Sequence, residues 1–315
     1  MRILIIGGTR FVGLAITQEA VRRGHLVSVF HRGTASEELS GVQHLIGDRD
    51  SDLSALANTE LSWDVTIDVC GYRPYQIDAV ADTIGNRGGQ YVYISTISVY
   101  ADDTPVHSNE HSGKLVDLLP LDGKDHKTVP IGEKTYGPLK LLCEMRAKER
   151  FGDILIIRPT YVVGPGDYTM RFPKWVKRIS EGGVVDCPKP AENPMQYVDV
   201  RDQATFTIDL VEKRMNGVFN CCLSPETTFG EMLEGIVSAV GAPGVSLNWV
   251  DLTDDQTKLA SAEYPLWSGR EGSPMMTMDA SAAVENGLRF RPLNETARDT
   301  LGWLSDWERS NEEKK

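Results

Sequence analysis

Tyr136 and Lys140, in the segment YGPLK, lie four residues apart, so a helix through them would carry a phenol and an ammonium on one face. A free tyrosine has a pKa of about 10 and is a poor acid or base near neutrality. A neighbouring cation lowers that value toward the range useful for proton transfer. Upstream lie a hydroxyl-bearing strand end, ISTISVY at 94–100, and a glycine turn close to the N-terminus. A Tyr-x-x-x-Lys pair alone is common by chance; its place behind these two elements makes it specific.

The glycine turn is ILIIGGTRFVG, with Gly7, Gly8 and Gly13 between an apolar run and a helix-like stretch. Glycines there let the backbone approach a pyrophosphate at the positive end of a helix. The intervening Thr9, Arg10, Phe11 and Val12 are expected to border the same cofactor. Arg10 occupies the place where a middle glycine often stands. The second strand ends in His31-Arg32-Gly33, without the acidic residue that usually binds the ribose hydroxyls of NAD. Arg10 and Arg32 could instead converge on a ribose phosphate, which favours NADP over NAD. Asp48, in GDRD, could accept from the adenine amino group or cap the following helix.

Elements to position these groups are legible in the first half. Apolar runs at Arg2–Ile6, Leu26–Phe30, Val65–Val69, Gln90–Ser95 and Ile154–Ile157 read as strands. Helical patterns separate them at Val12–Arg23, Tyr75–Ile84 and Lys134–Arg150. Such alternation predicts an α/β fold of the Rossmann type, a doubly wound parallel sheet covered on both faces. Past Arg158 the pattern loosens among Gly and Pro. A strand–helix unit is expected around Gln196–Val211, a strand at Gly217–Cys222, and helices near Phe229–Val240 and Asp279–Gly287. The predicted division is a cofactor-binding domain of residues 1–165 and 194–222, and a smaller C-terminal substrate-binding lobe of 166–193 and 223–315. The tail SNEEKK is expected to fray.

Composition narrows the function classes. The 315 residues carry a formal net charge of −12, which disfavours nonspecific binding to nucleic acid or anionic membranes. No apolar run reaches the roughly 20 residues of a membrane span, and MRILIIGG lacks the form of a signal peptide. Cys70, Cys143, Cys187, Cys221 and Cys222 form no C-x-x-C pair, which suggests reduced thiols and a cytoplasmic protein. Cys70, expected in a strand-end loop, has no nearby histidine in sequence to activate it as a nucleophile.

Taken with RPTYVVGPGD, QYVDVRDQA and DASAAVENGLRFRPL, these segments resemble the extended short-chain dehydrogenase/reductase family along essentially the whole chain. The GGTR turn is most similar to an atypical, epimerase-like branch that includes chloroplast stem-loop RNA-binding relatives. The resemblance implies that Thr96 polarises a carbonyl oxygen, with Ser98 as an alternative, and that Tyr136 exchanges a proton with it. It implies that Lys140 holds the ribose hydroxyls and keeps the phenol acidic, while a nicotinamide exchanges hydride. Cys70 and Pro159 are implied as cofactor neighbours, and a homodimer through the Tyr136 helix is implied as well. The family's catalytic asparagine has no clear counterpart; Asp68 and Cys70 are the neighbours considered for it.

Departures from that pattern bear on substrate. Sugar-nucleotide enzymes of the family carry an RxxN motif where this chain has Arg158 to Tyr161, and a phosphate-binding arginine where it has Met195. Two lost charge-assisted contacts, each worth roughly 1.5–3 kcal/mol, weaken the case for a nucleotide sugar. Arg171 and Arg270 are candidate replacements, and Ser98 and Tyr161 are further candidate substrate contacts. Ile97-Ser98 replaces the Asp-Glu pair of sugar dehydratases. The interval between Thr96 and Tyr136 is long, and Asp102–Pro130 is expected to form a loop beside the site. Within it HSNEH, 107–111, matches a zinc-site pattern that requires a helix, which Pro105, Asn109 and Gly113 oppose; no metal is expected. RFPKWVKR, 171–178, could clamp an anionic substrate or, less in keeping with the net charge, a nucleic acid. The resulting expectation is an NADP-dependent oxidoreductase acting at an alcohol or ketone carbon of a small, sugar-like or other, molecule. The alternatives are a sugar-nucleotide epimerase with retained cofactor and a non-catalytic NADP- or RNA-binding relative.

Overall fold

The computed structural model describes residues 1–34, 39–119, 126–224 and 226–312. The first half runs β1 (Arg2–Ile6), α1 (Phe11–Arg22), β2 (Leu26–His31), β3 (Val42–Ile46), α2 (Ser54–Ala57), β4 (Val65–Asp68), α3 (Pro74–Ile84), β5 (Gln90–Ile94), α4 (Glu133–Phe151) and β6 (Leu155–Pro159). The second half adds β7 (Tyr161–Val163), α5 (Arg171–Glu181), β8 (Val184–Pro188), β9 (Tyr197–Asp199), α6 (Val200–Glu212), β10 (Gly217–Cys221), α7 (Phe229–Val240), β11 (Ser246–Val250), α8 (Asp254–Glu263), α9 (Ser281–Glu285) and α10 (Leu293–Glu312).

Seven parallel strands form the central sheet in the order β10-β6-β5-β4-β1-β2-β3. Successive side chains of a strand face opposite sides, and the strand residues divide accordingly. Ile3, Ile5, Val27, Val29 and Ile67 pack against α1 and α6, while Leu4, Ile6, Phe30, Tyr91 and Tyr93 pack against α3 and α4. Burial on both faces explains why these strands read as continuous apolar runs. Strand order reverses beside β1, so the carboxyl ends of β1, β4 and β5 open into a crevice at the switch point.

A second apolar cluster is built by α5, α7 and α10 with β8 and β11, around Phe172, Trp175, Phe229 and Leu233. The expected Gln196–Val211 unit is present as β9 and α6, but β9 pairs with β7 outside the central sheet. The late helix is shorter than expected, covering only Ser281–Glu285. Several elements lack a sequence-based counterpart, β3 and α10 among them. Edge strand β3 buries Leu45 alone, so its pattern is too polar to announce a strand. Helix α10 runs through Glu312, so Ser310–Glu312 continue a helix where fraying was expected; residues 313–315 lie outside the described residues. No helix among the described residues is long and apolar enough to cross a membrane.

Candidate active site

A cavity of about 550 Å³ opens at the carboxyl ends of the sheet strands, within the size range of small-molecule sites. Gly7 leaves β1 at φ +86°, and its amide donates to the Phe30 carbonyl at 3.0 Å. A Cβ on Gly7 would lie 2.7 Å from the Cys70 sulfur, and one on Gly13 would lie 2.1 Å from the Gly7 carbonyl oxygen. The turn thus closes onto α1 only as glycine. Thr17 Oγ1 braces it from beneath, 2.9 Å and 2.8 Å from the carbonyl oxygens of Gly8 and Gly13. Gly8 packs toward Thr17 and does not line the cavity, whereas Gly7, Thr9, Arg10, Phe11, Val12 and Gly13 do. Helix α1 begins without a side-chain cap, and Phe11 enters it at φ +40°. Uncapped amides at a helix N-terminus, bordered by a glycine cradle, suit a pyrophosphate.

At the end of β2, His31, Arg32 and Thr34 border the cavity opposite Arg10. Neither guanidinium has a hydrogen bond or ion pair among the described residues. No carboxylate ends β2; instead His31 Nε2 and His44 Nδ1 are 2.8 Å apart, and burial lowers the His31 pKa. Asp48 lines the cavity, but its carboxylate accepts the Asp50 amide at 2.9 Å and caps a turn, not a helix.

The next residue, Arg49, was not anticipated. It turns inward and forms a two-pronged pair with buried Asp68 at 2.8 and 2.9 Å, while Tyr91 donates to the same carboxylate at 2.7 Å. Burial pushes Asp68 up, but the guanidinium outweighs it and holds the carboxyl below its usual range. Asp68 is therefore committed to structure and unavailable as a proton carrier. Cys70 lines the cavity with its thiol pKa raised by burial, against the pull of Arg49, which argues against a nucleophile.

Two residues past the end of β5 stands Thr96, whose Oγ1 accepts the Ser98 amide at 3.1 Å and lies 3.2 Å from Ser98 Oγ. Helix α4 docks on this turn through Gly137, where a Cβ would fall 2.0 Å from the Ser98 carbonyl oxygen. That close approach brings Tyr136 and Lys140 into the cavity wall with Thr96 and Ser98. The Lys140 ammonium lies 2.6 Å from the Ile94 carbonyl oxygen and 3.0 Å from that of Gly71, 4.2 Å from the centre of the Tyr93 ring. Burial lowers its pKa to about 8. The expected acidification of the phenol is not seen. Burial raises the Tyr136 pKa, with Thr96 and Arg171 opposing, because the ammonium is directed at backbone carbonyls.

Pro159, Tyr161, Tyr168, Thr169, Arg171, Met275 and Met276 also line the cavity. Arg171 opens α5, donates from Nε to Thr169 Oγ1 at 3.0 Å, and lies 5.2 Å from the centre of the Tyr161 ring. The rest of the basic stretch is engaged: Lys174 and Arg178 pair with Glu263, and Lys177 with Glu308. Arg270 lies outside the lining, paired with Asp254 at 2.8 Å, which removes it as a substrate contact. Arg158 is buried on Glu144, and Met195 is buried in the second apolar cluster. HSNEH is irregular: Glu110 accepts the Asn220 amide at 2.5 Å, and no metal-holding cluster occurs among the described residues. The long loop bridges back at Tyr100–Leu115, and its residues 120–125 lie outside the described residues. Tyr72, Tyr168, Met275 and Met276 were missed; single aromatic or sulfur side chains in loops carry no spacing signal.

No protein-family model matches the chain. It is 26% identical over 259 residues to the chloroplast stem-loop binding protein of 41 kDa b of Arabidopsis thaliana, covering 77% of this chain and 64% of that protein. It is 28% identical over 202 residues to 2-alkyl-3-oxoalkanoate reductase of Stenotrophomonas maltophilia, covering 58% of this chain and 57% of that one. The chain thus spans less than two thirds of the length of these relatives. Among solved structures, the Bordetella bronchiseptica enzyme WbmH in complex with NAD+ matches 97% of this chain and 99% of its own at a TM-score of 0.72 and 17% identity. UDP-glucuronic acid 4-epimerase from Bacillus cereus, in complex with NAD, matches 98% and 99% at a TM-score of 0.66 and 19% identity. These structural likenesses establish the fold, and the two sequence relatives and the motifs gathered in one crevice agree with it. The chain has the fold of these solved structures, and its motifs resemble those of extended short-chain dehydrogenases/reductases.

Proposed function

We propose that the protein is an NADP-dependent oxidoreductase acting at an alcohol or ketone carbon of a small molecule. The observation that carries this reading is the convergence of Thr96, Tyr136 and Lys140 on the cavity that also contains the glycine cradle, Arg10 and Arg32. A bound nicotinamide would supply or accept the hydride. Arg10 and Arg32 are the cations available for a ribose phosphate, and the Gly7–Gly13 turn for the pyrophosphate. Cys70 and Pro159 border the nicotinamide end, and Asp48 the adenine end. Thr96 and Ser98 hold the reacting oxygen by hydrogen bonds. A raised pKa keeps the Tyr136 phenol protonated, so it is ready to donate to an oxygen that gains charge in reduction. Lys140 reaches the ribose hydroxyls from Gly71 and Ile94, and a pKa lowered to about 8 eases its part in passing the proton on. In this reading residues 1–165 and 194–222 hold the cofactor, and 166–193 and 223–315 shape the substrate end.

Likeness to solved epimerases supports a second reading, an internal oxidation–reduction cycle on retained cofactor. A stem-loop-binding role has less support, because three of the four cations in Arg171–Arg178 are held in intrachain pairs. The test is to purify and denature the protein, identify any released nicotinamide, and titrate the empty protein with NADPH and NADH. Tight NADPH uptake with weaker NADH supports the reductase. Firmly retained NADP+ favours the epimerase cycle, and no binding of either overturns both.

A further inference from the structure

The substrate end of the cavity contains few charges. Its walls are Tyr72, Tyr161 and Tyr168 with Met275 and Met276, facing Tyr136. Among the described residues, Arg171 is the cation that lines this end without a carboxylate partner. Its Nε is taken by Thr169, and its two Nη atoms have no bonded partner among the described residues. The guanidinium charge reaches the Tyr136 phenol, so an anion on Arg171 would lie beside the proton donor. Glu133 acts on Tyr161 but makes no ion pair with Arg171.

The remaining basic groups around this end are paired or turned away. Arg158 is buried on Glu144, Arg270 pairs with Asp254, and Lys174 and Arg178 pair with Glu263. Lys140 is turned to two carbonyls behind Tyr136. A diphosphate-bearing substrate brings about two negative charges into a partly desolvated crevice, where each needs a partner. Only one is offered among the described residues.

We propose that the substrate is a compact carboxylate with a flat, apolar body: a keto acid in the reduction direction, a hydroxy acid in the reverse. This rests on the oxidoreductase reading above. The free Nη pair of Arg171 grips the carboxylate by two parallel N–H bonds, and the tyrosine and methionine walls hold the body. The ketone oxygen points to Thr96 and Tyr136. Reduction would take one hydride from a bound NADPH to the carbon and one proton from Tyr136 to the oxygen, the phenol regaining its proton from solvent through Lys140; the products are NADP+ and the hydroxy acid, with the carboxylate unchanged.

The test is calorimetric titration of the NADP+-loaded protein with phenylpyruvate, with its uncharged analogue phenylacetone, and with UDP-glucose. Wild type, Arg171→Leu and Arg171→Lys are compared, and NADP+ affinity is measured on each. Phenylpyruvate is expected to bind about tenfold or more tighter than phenylacetone, as a charge-assisted pair requires. Arg171→Leu should remove that preference with NADP+ affinity within about twofold of wild type. Arg171→Lys, which keeps the charge and loses the fork, should retain part of it. If Arg171→Leu also loses NADP+, the Arg171→Lys comparison decides. Undiminished preference in Arg171→Lys and Arg171→Leu, no phenylpyruvate binding, or tighter binding of UDP-glucose would overturn the proposal. Failure of the wild type to bind NADP+ would overturn the oxidoreductase reading instead.

Discussion

Tyr136 faces the cavity as a protonated phenol, and Lys140 lies behind it with a pKa lowered to about 8 by burial. The first side chain is predicted to carry the proton. Tyr136→Phe should lower kcat by about 100-fold or more while leaving the NADPH dissociation constant within about twofold, checked by steady-state assay and fluorescence titration. The second side chain predicts a pH signature. Between about 8 and the ordinary lysine value of about 10.4, the unfolded chain holds a proton that folded Lys140 has released. Lys140 therefore destabilises the fold below pH 8, and that cost fades as pH rises. The difference in urea midpoint between Lys140→Met and wild type should shift in favour of wild type from pH 8 to 9.5. An unchanging difference would contradict the burial assignment. At the opposite end of the crevice, Arg32→Ala and Arg10→Ala should each weaken NADPH by about tenfold and leave NADH nearly unchanged, measured by titration.

Close approaches between elements set the geometry that these residues need. Helix α4 meets the turn after β5 at Gly137, where an added methyl would overlap the Ser98 carbonyl oxygen at 2.0 Å. Gly137→Ala must move α4 outward and carry Tyr136 away from Thr96. The expected result is a loss of about 100-fold in kcat with a smaller change in cofactor affinity, since sub-ångström placement governs proton transfer. Farther along α4, Glu144 accepts Arg158 at 2.7 and 2.9 Å and the Ser95 hydroxyl at 2.5 Å. This buried pair ties α4 to β6. Glu144→Ala would strand the guanidinium in the interior and should cost about 3–5 kcal/mol in chemical denaturation, because breaking one partner leaves an uncompensated charge.

Across the whole molecule, the substrate end depends on the second apolar cluster as well as the central sheet. Arg171 and Tyr161 reach the cavity because α5 buries Phe172, Trp175 and Val176 against α7 and α10. Helix α10 supplies Ala297, Leu293 and Leu301 to that cluster. Deleting residues 293–312 should expose it and abolish a single cooperative melt, with calorimetry as the check.

Local sequence determined the half of the cavity proposed for the cofactor. Gly7 and Gly13, Thr96, and the Tyr136–Lys140 pair are placed by backbone sterics, the turn after a strand and a helical turn, interactions of short range. The same holds for β1, β2, β4, β5 and β6, whose double burial demands apolar runs. Tertiary structure decided the rest. Arg49 and Arg158 look like solvated or substrate-facing cations until the fold supplies Asp68 and Glu144, and Arg270 is removed from the site by Asp254. Tyr72, Tyr168, Met275 and Met276 come from separate loops, and nothing in their spacing foretells a shared wall. Even the Tyr136–Lys140 pair shows the boundary: helix geometry aligns the two side chains, but the carbonyls of Gly71 and Ile94, distant in sequence, determine where the ammonium points. Which charges remain unpaired depends on contacts between distant segments, and that property of the folded chain leaves Arg171 open to a ligand.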